Sequence, residues 1–363
     1  MRSSVQRVLV MAGGTGGHIF PALAAARAFQ AQGIEVKWLG TEKGLESQIV
    51  PDHDLDIFYL DVAGVRGQGV KRLLLAPFKI AVSVIRVVGI IRHYKPDLVL
   101  GMGGFVTGPG GVGAWLSRTP LFIHEQNAIA GFTNRVLAKF ATKVFQAFPS
   151  AFIGSSKVYT TGNPVREEIV TLPAPEERFA ARMNEPLHLL VLGGSQGAVA
   201  LNEIIPKAMA QPVQKDVFKI RHQAGRNNVD NTKAIYAKCG VEANVSAFID
   251  DMAEAYAWAD MVICRSGALT VSEIASAGIA ALFIPYPHAV DDHQTKNAEY
   301  LVAEGAAKVM QQTSLTESTL AELLKNEFSD RATLLTMANA ARSAAKNDAT
   351  LDVVNGCLEA TCA

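Results

Sequence analysis

The feature that most constrains the fold is a short unit that occurs twice. VLVMAGGTGG (Val8–Gly17) is an apolar run that breaks into glycines and then into a helical stretch. LLVLGGSQG (Leu189–Gly197) repeats the design, with Gly193-Gly194-Ser195 in the place of Gly13-Gly14-Thr15, 180 residues on. Apolar runs without polar alternation are strands buried on both faces, which belong to parallel sheets covered by helices. Glycines at the strand end permit close backbone approach. The helix that follows presents N–H groups and its positive dipole end at the same place. Two copies in 363 residues predict two α/β domains, each with its own core.

The rest of the chain keeps the alternation. Strands are predicted at Arg7–Met11, Glu35–Leu39, Ile57–Leu60, Leu98–Leu100, Leu121–His124 and Lys143–Phe145, then at Leu187–Leu192, Phe218–Gln223, Ser246–Phe248, Met261–Cys264 and Ala281–Pro285. Helices are predicted between them, among them Pro21–Gln32, Leu73–Tyr94 and Thr133–Ala141. Turn residues at Gly162-Asn163-Pro164 place the boundary, giving domains 1–163 and 164–340. The chain from about Arg331 is Ala-rich and helical, and 341–363 is a candidate to pack back on the first domain.

Charge divides at the same boundary. The zero net charge is the sum of +8 over residues 1–163 and −8 over the remainder. From Val62 to Pro96 there are seven basic residues (Arg66, Lys71, Arg72, Lys79, Arg86, Arg92 and Lys95) and no acidic one. Within that stretch Leu74, Leu75, Phe78, Ala81, Val82, Ile85, Val88 and Ile91 recur at helical spacing. The pattern fits a core-packing helix with a basic edge, or a surface for anionic lipid made by Lys71, Arg72, Leu75, Phe78, Lys79, Val82, Ile85 and Arg86. No signal-peptide pattern opens the sequence, and the longest apolar run, Ile80–Ile91, is too short to span a bilayer. Four cysteines without C-x-x-C spacing indicate neither a disulfide framework nor zinc. A balanced charge gives no cue for nucleic acid.

Three stretches can carry chemistry. MAGGTGGHIFPALA (Met11–Ala24) fits neither G-x-G-x-x-G nor a P-loop, and sets His18 beyond the glycines at the carboxyl end of a strand. His18 is either a cap on a tight turn or a general base. LVLGMGGFVTGPGGVGAW (Leu98–Trp115) holds seven glycines in 18 residues, more than a turn needs. His124, Glu125 and Asn127 follow the next strand, as helix caps or as substrate contacts. CRSGALTVSEIASAG (Cys264–Gly278) runs from a strand into a helix with Thr270, Ser272 and Glu273 in its first turns. That is either an ordinary capped helix or a seat for a diphosphate with a carboxylate near a ribose diol. Asp52-His53-Asp54, Asp54-Leu55-Asp56, Asp250-Asp251 and Asp291-Asp292 read as solvated turns, not metal sites.

Taken in order, GGTGGHIFPALA, GMGGFVTGPGG, HEQN, GNPVR (Gly162–Arg166), GGSQGA, FIDDM (Phe248–Met252), CRSGALTVSE and DHQTKNA (Asp292–Ala298) resemble the MurG family of bacterial N-acetylglucosaminyltransferases. The resemblance covers essentially the whole chain. It implies a GT-B fold, two Rossmann-like domains facing across a cleft. It also implies inverting transfer of GlcNAc from UDP-GlcNAc to the 4-hydroxyl of MurNAc in undecaprenyl-pyrophosphoryl-MurNAc-pentapeptide (lipid I), giving lipid II for peptidoglycan. By motif, backbone at Ile249 would hold uracil and Glu273 the ribose. Ser195, Arg166 and the turn Ala268, Leu269, Thr270, Val271 and Ser272 would take the diphosphate region, and Gln294 the sugar hydroxyls. Where some relatives have two adjacent glutamines, this chain has His293-Gln294. Thr15, Gly16, Gly17 and Asn127 would face the transferred sugar and the acceptor, with His18 and Glu125 as the candidate bases. No essential bound metal or other cofactor is expected. The expected partners are UDP-GlcNAc, lipid I, an anionic inner-membrane surface reached from the cytoplasm, and a cell-wall synthesis complex. The competing readings are a nicotinamide-dependent oxidoreductase and a UDP-sugar-binding membrane-surface protein without catalysis.

Overall fold

The computed structural model describes residues 5–61, 69–194, 197–214 and 217–362, with the side chains of 69–76 and 290 excepted. The chain forms two compact units, Met1–Arg166 with Asn347–Ala363, and Glu167–Lys346.

In the first unit the strands are β1 (Arg7–Met11), β2 (Glu35–Gly40), β3 (Asp56–Tyr59), β4 (Leu98–Gly101), β5 (Leu121–Glu125), β6 (Lys143–Gln146) and β7 (Val158–Thr160). They form one parallel sheet in the order β3-β2-β1-β4-β5-β6-β7. Alternation along β1 fills both faces. Val8 and Val10 pack with Ile19, Phe29, Trp38 and Phe122, and the C-terminal helix Ala349–Cys362 adds Val353, Val354 and Cys357 on that side. Leu9 and Met11 pack on the other side with Val87, Ile91, Val99 and Ile123. The helix after β1 begins at Gly16 rather than at the predicted Pro21. The N–H groups of His18 and Ile19 already reach Thr15 O, and Pro21 removes only the bond back to Gly17.

The second unit contains β8 (Leu187–Leu192), β9 (Phe218–Gln223), β10 (Asn244–Ser246), β11 (Met261–Cys264), β12 (Ala280–Phe283) and β13 (Ala307–Val309). This sheet is also parallel, in the order β10-β9-β8-β11-β12-β13. β10 lies two residues before the predicted Ser246–Phe248, and β12 begins one residue before the predicted Ala281.

Strand order reverses between β1 and β4 in the first sheet and between β8 and β11 in the second. Met11 pairs with Gly101 and Leu192 with Cys264 at the carboxyl ends of these neighbours. Each reversal therefore sets two of the glycine-containing loops side by side, where open α/β sheets bind ligands.

The helix Gly69–Tyr94 divides its apolar residues between the core and the outside. Its buried stripe is Val84, Val87, Ile91 and Tyr94, whereas Phe78 and Ile85 are 72 % and 73 % exposed and Val82 is also exposed. Part of its apolar face points outward, with Lys79 and Arg86 exposed beside it. Gly113 explains the close packing on the other side, because a Cβ there would meet Val87 Cγ1 at 2.5 Å. Lys71, Arg72 and Leu75 fall in the first turns, where side chains lie outside the described residues. Among the described residues no helix is long and apolar enough to cross a membrane.

Candidate active site

At the first reversal point three loops are joined through buried polar groups. Gly14 and Gly104 have φ of 96° and 84°, open to glycine at little cost. A Cβ on Gly104 would collide with Gly13 O, so these two loops touch through backbone. Glu46, fully buried, ties in the loop after β2. Its Oε1 accepts from Thr41 N and Thr41 Oγ1 at 2.8 and 2.7 Å, and its Oε2 accepts from Gly14 N at 3.0 Å. The loop that carries Thr15, Gly16 and Gly17 is thus latched by a carboxylate. Thr15 is exposed and the two glycines partly so.

His18 stands in the first turn of the helix and is partly buried. Its Nδ1 lies 3.1 Å from Gln126 Oε1. His124, by contrast, is wholly buried, with Nε2 2.9 Å from Gly162 O. Burial lowers its pKa to about 4 against the opposing effect of that bond, so His124 is a neutral core group. Glu125 is 3 % exposed and its carboxylate is fully engaged. Oε1 accepts from Asn127 N and Nδ2 at 3.0 and 3.2 Å, and Oε2 accepts from Gly131 N at 3.0 Å and Asn134 Nδ2 at 2.8 Å. Four donors on two oxygens make this group the organiser of the loop bearing Asn127. Arg166 belongs to the first unit, its guanidinium 5.3 Å from the Phe20 ring centroid.

At the second reversal point the glycine loop crowds the end of β9. A Cβ on Gly193 would meet Gln223 O at 2.8 Å, and Gly197, at φ 79°, would strike Ala224 O. Ser195 lies outside the described residues. The helix Ala268–Ala277 opens after an extended Gly267. Ala268, Leu269 and Thr270 precede its first intrahelical bond, which Val271 N makes to Gly267 O at 2.9 Å. Val271 also buries its side chain completely. Ser272 Oγ turns back to Ala268 O at 3.2 Å. Glu273 is buried, and Tyr256 OH donates to its Oε2 at 3.0 Å. Ile249 is partly buried in the loop beyond β10. Gln294 Oε1 accepts from Tyr286 N at 2.8 Å, and Asn297, fully buried, donates to Ser266 O at 3.2 Å. The loop before the helix His293–Ala303 holds Asp291 and Asp292 in the left-handed region. His293 is partly buried at the start of the helix.

Glu46, Gln126 and Tyr256 were not foreseen. Only Gln126 had a signal, its place inside HEQN. The acidic pairs behave as turns. Asp251 Oδ1 caps its helix through Glu254 N at 2.8 Å, and His53 Nδ1 lies 2.9 Å from Arg27 Nη2. Among the described residues no three of His, Cys, Asp and Glu converge as metal ligands.

Residues 8–146 match the glycosyltransferase family 28 N-terminal domain, and residues 188–352 match its C-terminal domain. The chain is 52 % identical over 355 residues to the UDP-N-acetylglucosamine–N-acetylmuramyl-(pentapeptide) pyrophosphoryl-undecaprenol N-acetylglucosamine transferase of Marinobacter nauticus, covering 98 % of each. It is 53 % identical over 353 residues to the protein of the same name from Aeromonas hydrophila, covering 96 % of each. Among solved structures, that of Acinetobacter baumannii MurG superposes with a TM-score of 0.84 at 43 % identity, over 98 % of this chain and 99 % of that one.

Proposed function

The chain belongs to glycosyltransferase family 28 and has its GT-B fold, and on that premise we propose that it transfers GlcNAc from UDP-GlcNAc to lipid I, forming lipid II in peptidoglycan synthesis. The observation that carries this reading is the near-full-length likeness to curated transferases of that name.

We assign the donor mainly to the second unit. The first-turn amides of Ala268, Leu269 and Thr270, with Ser195 and Arg166, take the diphosphate. Glu273 takes the ribose, backbone at Ile249 the uracil, and Gln294 the sugar hydroxyls. Thr15, Gly16, Gly17 and Asn127 serve the transferred sugar and the acceptor. His18 is the base. It removes the proton from the acceptor 4-hydroxyl while that oxygen bonds to C1 of GlcNAc from the face opposite UDP. The C1–O bond to the β-phosphate breaks, and its electron pair leaves with UDP. Amides and a guanidinium are preorganised for that developing charge, so the reading requires no bound metal. The engagement of Glu125 by four donors supports a positioning role for it rather than proton transfer.

We further assign Phe78, Lys79, Val82, Ile85 and Arg86, with Lys71, Arg72 and Leu75, to an anionic membrane surface on the cytoplasmic side. The outward apolar stripe beside basic residues supports this. Trp115, exposed and 5.0 Å from Phe140, adds apolar surface on a neighbouring helix. The test of the whole reading is transfer of radiolabel from UDP-GlcNAc to a lipid I analogue. Labelled disaccharide product is expected, and intact donor binding without transfer would refute it.

A further inference from the structure

His18 is held by a residue that touches it from the far side of the switch point. Gln126 follows β5 and is 1 % exposed. Its Nε2 donates to Met102 O at 2.6 Å. A carbonyl only accepts, so this bond fixes which way the amide points and turns Oε1 toward His18 Nδ1, 3.1 Å away. An amide oxygen also only accepts. The proton must therefore reside on Nδ1, and the neutral ring carries its lone pair on Nε2. The anchor is rigid. Met102 is fully buried, and its N–H donates to Met11 O at 2.8 Å at the end of β1. Gln126 O in turn accepts from Asn163 Nδ2 at 3.2 Å. Gly103, at φ 103°, lies so close to the imidazole that a Cβ would strike Nδ1.

We propose that Gln126 is a positioning residue that fixes His18 in the Nδ1–H tautomer, so that Nε2 receives the acceptor proton. The proposal rests on the reading of His18 as the base. An unconstrained neutral imidazole favours the other tautomer, whose lone pair faces the wrong way for this geometry. A neutral amide selects the tautomer without placing a negative charge against the ring.

The test is two-bond 1H–15N correlation on the full-length protein labelled at histidine, with His18→Ala to assign the signals. Wild type is expected to show His18 protonated at Nδ1 and bare at Nε2 above its pKa. Gln126→Leu should move the proton to Nε2 and lower kcat about 10²–10³-fold, with the donor KM changed less than about two-fold. Gln126→Glu, which keeps an oxygen toward Nδ1 but gives up the donor to Met102 O and adds a charge, should retain the tautomer and move the acid limb of the pH–rate profile upward. It carries the test if the leucine variant does not fold. Wild-type His18 protonated at Nε2, with His18→Ala inactive, would overturn the proposal and spare the base. Unimpaired kcat in His18→Ala would overturn the base reading on which it rests.

Discussion

Replacement of Glu125 separates two roles that a sequence motif cannot. As a base it would donate nothing to stability. As the organiser seen here it holds Asn127 N, Asn127 Nδ2, Gly131 N and Asn134 Nδ2 at 2.8–3.2 Å. In Glu125→Gln one carboxylate oxygen becomes an NH2 group, and whichever end it occupies it faces two donors. Two charge-assisted bonds are lost and two donors are left opposed, which costs about 2–4 kcal/mol. For a unit of this size each kcal/mol moves Tm by roughly 2–4 °C, so the first unit should melt about 5–15 °C lower.

Calorimetry should place that loss in the first unit's transition. Steady-state transfer should show kcat lowered by about ten-fold through a loosened Asn127 loop, with the pH–rate profile unmoved. Glu125→Ala should melt lower still, because all four donors lose their acceptor. A glutamine variant with native Tm, kcat reduced about 10³-fold and the acid limb of the profile abolished would refute the reasoning and restore Glu125 as the base.

Neutralising Lys71, Arg72, Lys79 and Arg86 together should weaken sedimentation with anionic vesicles by about 10²–10³-fold, at about 1 kcal/mol per charge, while UDP affinity stays constant. Vesicle binding should also fall steeply with salt and UDP binding should not. Transfer activity should survive exhaustive EDTA treatment, and loss that only a protein-bound divalent ion restores would exclude the metal-independent route. Stability should fall as pH drops below about 6.5. His124 and His222 are held neutral by burial, at about 4 and about 3, so between those values and 6.5 the unfolded chain binds protons that the folded chain does not. Each contributes a slope of about 1.4 kcal/mol per pH unit, and a flat Tm from pH 7 to 5 would contradict their burial as neutral groups.

Strands buried on both faces were legible because burial leaves them no polar alternation. Arg7–Met11, Leu187–Leu192 and Met261–Cys264 have the predicted bounds, and so does Phe218–Gln223, where Lys219 and Arg221 alternate with buried Ile220 and His222. β7 and β13 escaped because they are three-residue edge strands with partly exposed sequences. The glycine loops were legible as close-approach sites, since Gly104 and Gly197 indeed admit no Cβ. What they approach was not. Glu46 reaches Gly14 over 32 residues and Gln126 reaches His18 over 108, and no local spacing encodes such a contact. The helix after residue 69 was ambiguous for a different reason. Its apolar residues span more than one stripe, and only tertiary packing decides which stripe meets the core.

The division of charge bears on function through distance. The −8 half of the chain is the half assigned to a doubly anionic donor, which a whole-chain argument would count against it. Carboxylates on its surface act through water and salt, and beyond about 8 Å they are largely screened. The first-turn amides of the helix at Ala268, proposed to hold the diphosphate, would act at contact. Local donors therefore outweigh the net charge for a small ligand. A membrane presents charge over a whole face, so there the sum matters. Seven basic residues without an acidic one between Val62 and Pro96 suit that proposed second task, and the outward Phe78 and Ile85 would supply the apolar contact that charge alone does not.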